Sequence, residues 1–188
     1  MPVFHDAADY MSLLATLHHA VVRHDVAAHA YAVMENHFHV IATPGHQAAI
    51  PRMMKEVGLR YATYYNRRYD RIGTLWNGRY RSKIIGDETY WLTCLRYVEQ
   101  NPVRARIVAT PDDYRWSSYA AHAWGHSPEW LAPHPVYLGL GVTAQERQAT
   151  YRKICSAVLA DDELALVRCP LPKGSATDAD QRPTDRAN

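Results

Sequence analysis

The sequence predicts an α+β domain. Two neighbouring strand-like segments are joined by a turn, segments with apolar residues at helical spacing flank them, and the chain ends in further helical patterning. Asp6 is placed to cap a first helix, in which Tyr10, Leu13, Leu14, Leu17 and Val21 recur at helical intervals to about Arg23. Ala28 to Met34 reads as a strand, Glu35-Asn36 as a turn, and His37 to Thr43 as a second strand ended by Pro44-Gly45. These two strands make a hairpin. From about Ile50 to Asn66 the pattern is helical again, with Met54, Val57, Tyr61 and Tyr65 along one stripe. Thr74 to Ile85 reads as extended, with a turn left open at Asn77-Gly78. Asp87 caps the next helix, which is expected to stop near Asn101 because a residue before proline disfavours the α region. Pro111, Pro128, Pro133 and Pro135 then break the chain into short pieces, with a helical turn or two around Ser117 to Ala123. Thr143 and Glu146 form a capping box that opens a helix to about Val158, and a short helix follows over Asp161 to Arg168.

The expected organisation is a main domain over residues 1–140, a helical extension over 141–170 and a disordered tail over 171–188. The 188 residues give a prior of one domain, and 47% hydrophobic content excludes disorder as a whole-chain reading. No run of about 18 apolar residues predicts a membrane span, and the N-terminus lacks the pattern of a signal peptide. Cys94, Cys155 and Cys169 are odd in number and lack metal-type spacing, as free thiols of a cytoplasmic protein would be.

Charge is unevenly placed. The chain carries +2 overall, yet Arg52, Lys55, Arg60, Arg67, Arg68, Arg71, Arg79, Arg81 and Lys83 crowd one window opposed only by Glu56 and Asp70. Tyr61, Tyr64, Tyr65, Tyr69, Trp76 and Tyr80 are interleaved with them. Cations for phosphates and flat faces for unstacked bases are what a single nucleic-acid strand requires. A solvated helix face with core tyrosines has the same composition, so the window leaves both readings open.

The sharpest local feature is His37-Phe38-His39 in the second strand. Side chains alternate along a strand, so His37, His39 and Ile41 share one face and Phe38, Val40 and Ala42 the other. Two imidazoles about 7 Å apart along a strand can grip one divalent ion with a third ligand from elsewhere, or stand as two half-exposed histidines. A His-x-His-x-His hydrolase is excluded by Ile41, and a Cys₂His zinc enzyme by the lack of a Cys-x-x-Cys. In the helix from Asp87, Tyr90, Cys94, Tyr97 and Asn101 share one face, beside an apolar stripe of Trp91, Leu92, Leu95 and Val98 expected to pack on the sheet. A tyrosine beside a metal ion can attack a phosphodiester; it can equally be a packing residue with a polar tip.

Four segments occurring in order resemble the REP-associated tyrosine transposases, a branch of the single-tyrosine HUH transposases: Tyr31 to Val40, Gly73 to Tyr80, Leu95 to Arg104 and Tyr114 to Tyr119. The likeness runs from about Val3 to Leu140. It implies a ferredoxin-like or RRM-like antiparallel sheet with helices on one face. It also implies a metal-dependent endonuclease and strand transferase that cuts single-stranded DNA at hairpins through a 5′-phosphotyrosine. Residue by residue, His37 and His39 match the metal ligands, Tyr97 matches the nucleophile, and Asn101 falls where related transposases carry a polar third ligand. The implied cofactor is Mg²⁺ or Mn²⁺. The implied partner is DNA with palindromic, REP-like elements, bound by a monomer or homodimer through the basic window from Arg52 to Lys83, Trp76 included.

Two departures stand out. Members of the family usually open with a strand ahead of the segment that here begins at Val3-Phe4, and its absence predicts an exposed edge or a gap beside the hairpin. Glu35 stands where a proline or another small residue is expected. The first departure supports an alternative reading, a truncated or domesticated protein that binds hairpin DNA or RNA without cutting it. An RNA nuclease on a similar sheet is a third reading.

Overall fold

The computed structural model describes residues 2–157 and 159–168. Helix α1 (Ala7–Arg23) is capped by the Asp6 carboxylate, which accepts from the backbone N–H of Ala8 and Asp9. Strands β1 (Val26–Val33) and β2 (Phe38–Pro44) form an antiparallel pair, the only sheet among the described residues. Pairing shifts by one residue between Ala28 and Ala30, a β-bulge at His29. The extra residue is pinned from both sides: its Nδ1–H donates to the Ala132 carbonyl at 2.8 Å, and Nε2 accepts from the Thr43 hydroxyl at 2.9 Å.

Beyond the bulge, Tyr31 and Val33 join Phe38 and Val40 against α1 and helix α2 (Ala49–Arg68). Met53, Val57, Tyr61 and Tyr65 form the buried stripe of α2 at an interval of four; Met54, expected on that stripe, is half-buried beside it. Ala30, Ala32 and Ile41 face the other way, against helix α3 (Glu88–Glu99). The apolar stripe of α3 lies where spacing put it: Trp91, Leu95 and Val98 are buried against the sheet and Leu92 flanks them. The α+β class and the antiparallel hairpin are therefore as expected. Helices α1 and α2 cover one face of the sheet and α3 packs on the other, not on one face alone as the resemblance implies, because both strands bury apolar residues on both sides.

The two edges of the sheet differ. Along β1, Val33 N–H donates to the Trp116 carbonyl, Ser118 N–H to the Tyr31 carbonyl and Ala132 N–H to the Ala28 carbonyl, so irregular chain closes that edge. The outer edge of β2 has no strand partner among the described residues.

The segment from Thr74 to Ile85 forms no strand. It is mostly exposed and bends through Asn77-Gly78, where Gly78 takes a φ of 97° open to glycine at no steric cost. Trp76 anchors it, its Nε1–H donating to the Gly58 carbonyl at 2.9 Å and its ring meeting Phe38 edge-on.

Helix α3 ends at Glu99, Gln100 breaks the run with φ −89° and ψ 0°, and a single turn α4 (Asn101–Arg104) resumes with Pro102 in its first positions. Proline is tolerated there because its missing N–H would have had no helical partner. Two short helices, α5 (Tyr119–Trp124) and α6 (Pro135–Leu138), precede α7 (Ala144–Ser156) and α8 (Asp161–Arg168). The capping box opening α7 is present, with Glu146 N–H donating to the Thr143 hydroxyl and Thr143 N–H to the Glu146 carboxylate. Cys94 and Cys155 are free, buried thiols. Cys169 and the tail expected over 171–188 lie outside the described residues. Among the described residues no helix is long and apolar enough to cross a membrane.

Candidate functional site

Strand alternation and helix spacing bring four side chains together where β2 meets the C-terminal end of α3. His37 Nε2 and His39 Nε2 lie 3.1 Å apart with their rings nearly perpendicular. The Asn101 side-chain amide donates to His39 Nε2 at 2.7 Å. The Tyr97 ring stands edge-on to His39 with centroids 6.0 Å apart. Tyr97 is half-buried, and its hydroxyl has no hydrogen-bond partner among the described residues. The break at Gln100 makes this arrangement possible: Gln100 is tied down by its Nε2 donating to the Cys155 carbonyl at 2.7 Å, and the chain then turns Asn101 towards His39.

Protonation follows from these contacts. Asn36 Oδ1 accepts from His37 Nδ1–H at 2.7 Å, so the neutral ring leaves a lone pair on Nε2. His39 Nε2 likewise accepts, from Asn101. Burial pushes the His37 pKa down. Burial, helped by His37 and by the Arg104 guanidinium, pushes His39 down to about 4. At 3.1 Å the two Nε2 atoms are close enough to reach one cation together. Amide oxygen and nitrogen are interchangeable in shape, so a turned Asn101 presents its oxygen to the same spot. The donor set of two imidazoles and one amide fits a divalent ion, Mn²⁺ better than the oxygen-preferring Mg²⁺. Among the described residues no cluster of three His, Cys, Asp or Glu side chains offers another metal site.

The depressed histidine makes folding pH-dependent. The unfolded chain takes up a proton on His39 near pH 6.5, whereas the folded chain refuses it until about pH 4. With chelator present, stability is expected to fall as pH falls through that window, by up to about 3 kcal/mol from this residue, with nothing further lost below it. Urea unfolding at pH 7, 5.5 and 4 should show His39→Ala losing less stability across the range than the unsubstituted chain.

The residues of the basic window stand in different surroundings. Arg52, Lys55 and Arg60 lie on the outer face of α2, where Arg60 meets Glu56 at 2.9 Å; Glu56 also contacts His19, Arg23 and His24 of the α1 end. Arg67 is exposed at the end of α2, whereas Arg68 is committed to Asp6 at 2.5 Å and to the fully buried Asp9 at 2.7 Å. Asp9 also accepts from the hydroxyls of Tyr64 and Tyr69, and Tyr61 and Tyr65 are buried in the core. Arg71 lies over the Tyr65 ring. Trp76 is half-buried on Gly58, Arg79 and Arg81 are exposed in the irregular segment, and Lys83 lies over the Tyr90 ring.

Two residues at the site are not singled out by sequence reasoning: Asn36, which orients His37, and Arg104, whose guanidinium sits 4.4 Å over the Tyr97 ring. The signal for Arg104 was available, since 97, 101 and 104 follow the four-then-three spacing of one helix face.

In a comparison with protein-family models, residues 2–101 match the model of IS200-like transposases, just over half of the chain. Comparisons with curated proteins and with solved structures gave no match.

Proposed function

The chain belongs to the IS200-like transposase family, and on that premise we propose that it is a metal-dependent, single-tyrosine endonuclease and strand transferase acting on single-stranded DNA at hairpins. The observation that carries the reading is the convergence of His37, His39 and Asn101 beside Tyr97. His37, His39 and Asn101 would hold the divalent ion, which, when bound, polarises the scissile phosphate and stabilises its developing charge.

Tyr97 supplies the nucleophile. Its hydroxyl oxygen attacks phosphorus as the bond to the 3′-oxygen breaks, leaving a free 3′-hydroxyl and a 5′-phosphate ester on the tyrosine. The phenolic proton goes to solvent, and the departing 3′-oxygen takes one up. One phosphodiester is exchanged for another, so the bond energy is stored for rejoining and no nucleotide cofactor is required. His39 keeps its lone pair at neutral pH because burial disfavours its protonated form. Asn36 fixes the ring of His37 in the tautomer that points a lone pair into the site. Imperfect palindromes of the REP type are the substrate class this reading names. The exposed cations Arg67, Arg79 and Arg81 would meet its phosphates.

The test is incubation with labelled single-stranded hairpin DNA and Mn²⁺, followed by denaturing electrophoresis. A protein-linked DNA band that chelator removes is the expected result; a mobility shift with no cleavage at any metal concentration overturns the nuclease and leaves a binder. The metal set has its own check. Calorimetric titration with Mn²⁺ should lose its signal in His39→Ala, with affinity down by at least about tenfold to a hundredfold, as losing one ligand of three demands. An unchanged isotherm would move the metal elsewhere.

A further inference from the structure

We infer that Arg104 holds a non-bridging oxygen of the substrate phosphate beside Tyr97, an assignment that rests on the function proposed above. Three observations converge on it. The guanidinium of Arg104 lies 4.4 Å over the Tyr97 ring, so its position is coupled to that of the attacking group. Its Nη1 is enclosed by protein yet has no hydrogen-bond partner. No carboxylate lies within ion-pairing distance of it among the described residues, in contrast to Arg68 and Arg96, which are paired with Asp6, Asp9 and Glu163.

A guanidinium nitrogen enclosed by protein without an acceptor is costly, because its N–H groups lose water and gain no partner. Packing alone does not explain it: a stacking partner for a tyrosine needs no charge, and a leucine or methionine would cover the ring without that cost. Arg104 therefore places a cation with an open donor directly beside Tyr97. The missing partner is therefore an anion, and the fork of a guanidinium suits phosphate oxygens. The chain geometry agrees. Arg104 ends the α4 turn, its own N–H bonded to the Gln100 carbonyl at 3.0 Å, so the same break that turns Asn101 towards His39 sets Arg104 over Tyr97. A phosphate engaged by Arg104 is thereby held next to the tyrosine that attacks it.

The experiment measures DNA binding on the full chain in the Tyr97→Phe background, where no covalent product complicates it. Hairpin oligonucleotides carrying one neutral methylphosphonate are scanned through the linkages at the hairpin foot. The Tyr97→Phe chain is expected to bind about tenfold more weakly when one particular linkage is neutral, the loss of one charged hydrogen-bonded contact. Adding Arg104→Met should weaken binding of unmodified DNA by the same factor, erase sensitivity to that linkage alone, and reduce the slope of log affinity against log salt by about 0.7. Arg104→Lys should restore the slope, because a point charge still neutralises a phosphate, and it supplies a folded comparison if the methionine variant does not fold. A methionine variant that keeps both the linkage sensitivity and the slope overturns the assignment and leaves Arg104 as packing. The two readings fail separately. Lack of a covalent product from the unsubstituted chain sinks the nuclease, whereas the linkage scan judges Arg104 whether or not the chain cuts.

Discussion

The Tyr97→Phe variant is expected to lose the covalent DNA adduct altogether, a fall of at least about a thousandfold in cleavage, while retaining hairpin binding. The argument is geometric. Only the hydroxyl is removed, and that hydroxyl has no hydrogen-bond partner among the described residues, so no protein group is left unsatisfied. The phenylalanine ring keeps the edge contact with His39 and the stacking of Arg104, and the site keeps its shape. A nucleophile cannot be replaced by its neighbours: the two imidazoles would be engaged by metal, and neither serine nor cysteine stands among the converging side chains. Removal of the attacking group in other covalent enzymes costs several orders of magnitude. Denaturing gels of paired reactions read the outcome, with filter binding as the control for affinity. Adduct formation by the variant would transfer the nucleophile to another residue and remove the reason for placing the chemistry here.

The largest effect on stability is expected two residues along the chain, at Glu99. This carboxylate is fully buried, and its partners are buried with it: Oε1 accepts from the Ser118 hydroxyl and from His122 Nδ1, and Oε2 from the Tyr151 hydroxyl. It therefore ties α3 to α5 and α7 by side-chain bonds in the protein interior. Glu99→Ala strands three donors away from water and opens a void, and breaking a buried pair by deleting one partner costs about 3–5 kcal/mol. Tyr151→Phe leaves one carboxylate oxygen unsatisfied and should cost about 1.5–3 kcal/mol. Equilibrium urea unfolding measures both, and losses under about 1 kcal/mol would show that water replaces the missing group. Because Glu99 lies between Tyr97 and Asn101 in sequence, loosening it also loosens the turn at Gln100. Metal affinity should fall together with stability in Glu99→Ala.

Local rules made much of the site legible. Alternation along β2 put His37 and His39 on the face opposite Phe38 and Val40, and helix spacing put Tyr97 and Asn101 together; the structure brings both pairs together, the second across the break at Gln100, with Tyr97 in α3 and Asn101 in α4. Where a reading depended on what surrounds the residue, it was not legible. Thr74 to Ile85 has strand-compatible composition, yet a strand needs a neighbour for its backbone groups, and none pairs with it. The tyrosines of the basic window divide in the same way. Tyr61 and Tyr65 repeat at four-residue spacing and fill the core under α2, while Tyr64 and Tyr69 donate to Asp9. Composition cannot separate a base-stacking ring from a core ring, because both are apolar discs on a helix.

The sequence by itself determined the main helices, the pairing of the hairpin and the two-histidine face, because each follows from a period of two or of 3.6 along a few consecutive residues. The match over residues 2–101 likewise comes from sequence alone and establishes the family. Only the tertiary structure decided that Tyr97 and Asn101 meet that face, with Asn101 within 2.7 Å of His39, and that Arg104 is left over Tyr97 without an anion. Only it showed that Arg68 is spent on Asp9 and that Glu99 is a buried tie between helices. The reason is distance along the chain. His39 and Asn101 are 62 residues apart, and Glu99 and Tyr151 are 52. Contacts across such separations are set by how whole elements pack, through hundreds of weak interactions that no short window of residues encodes.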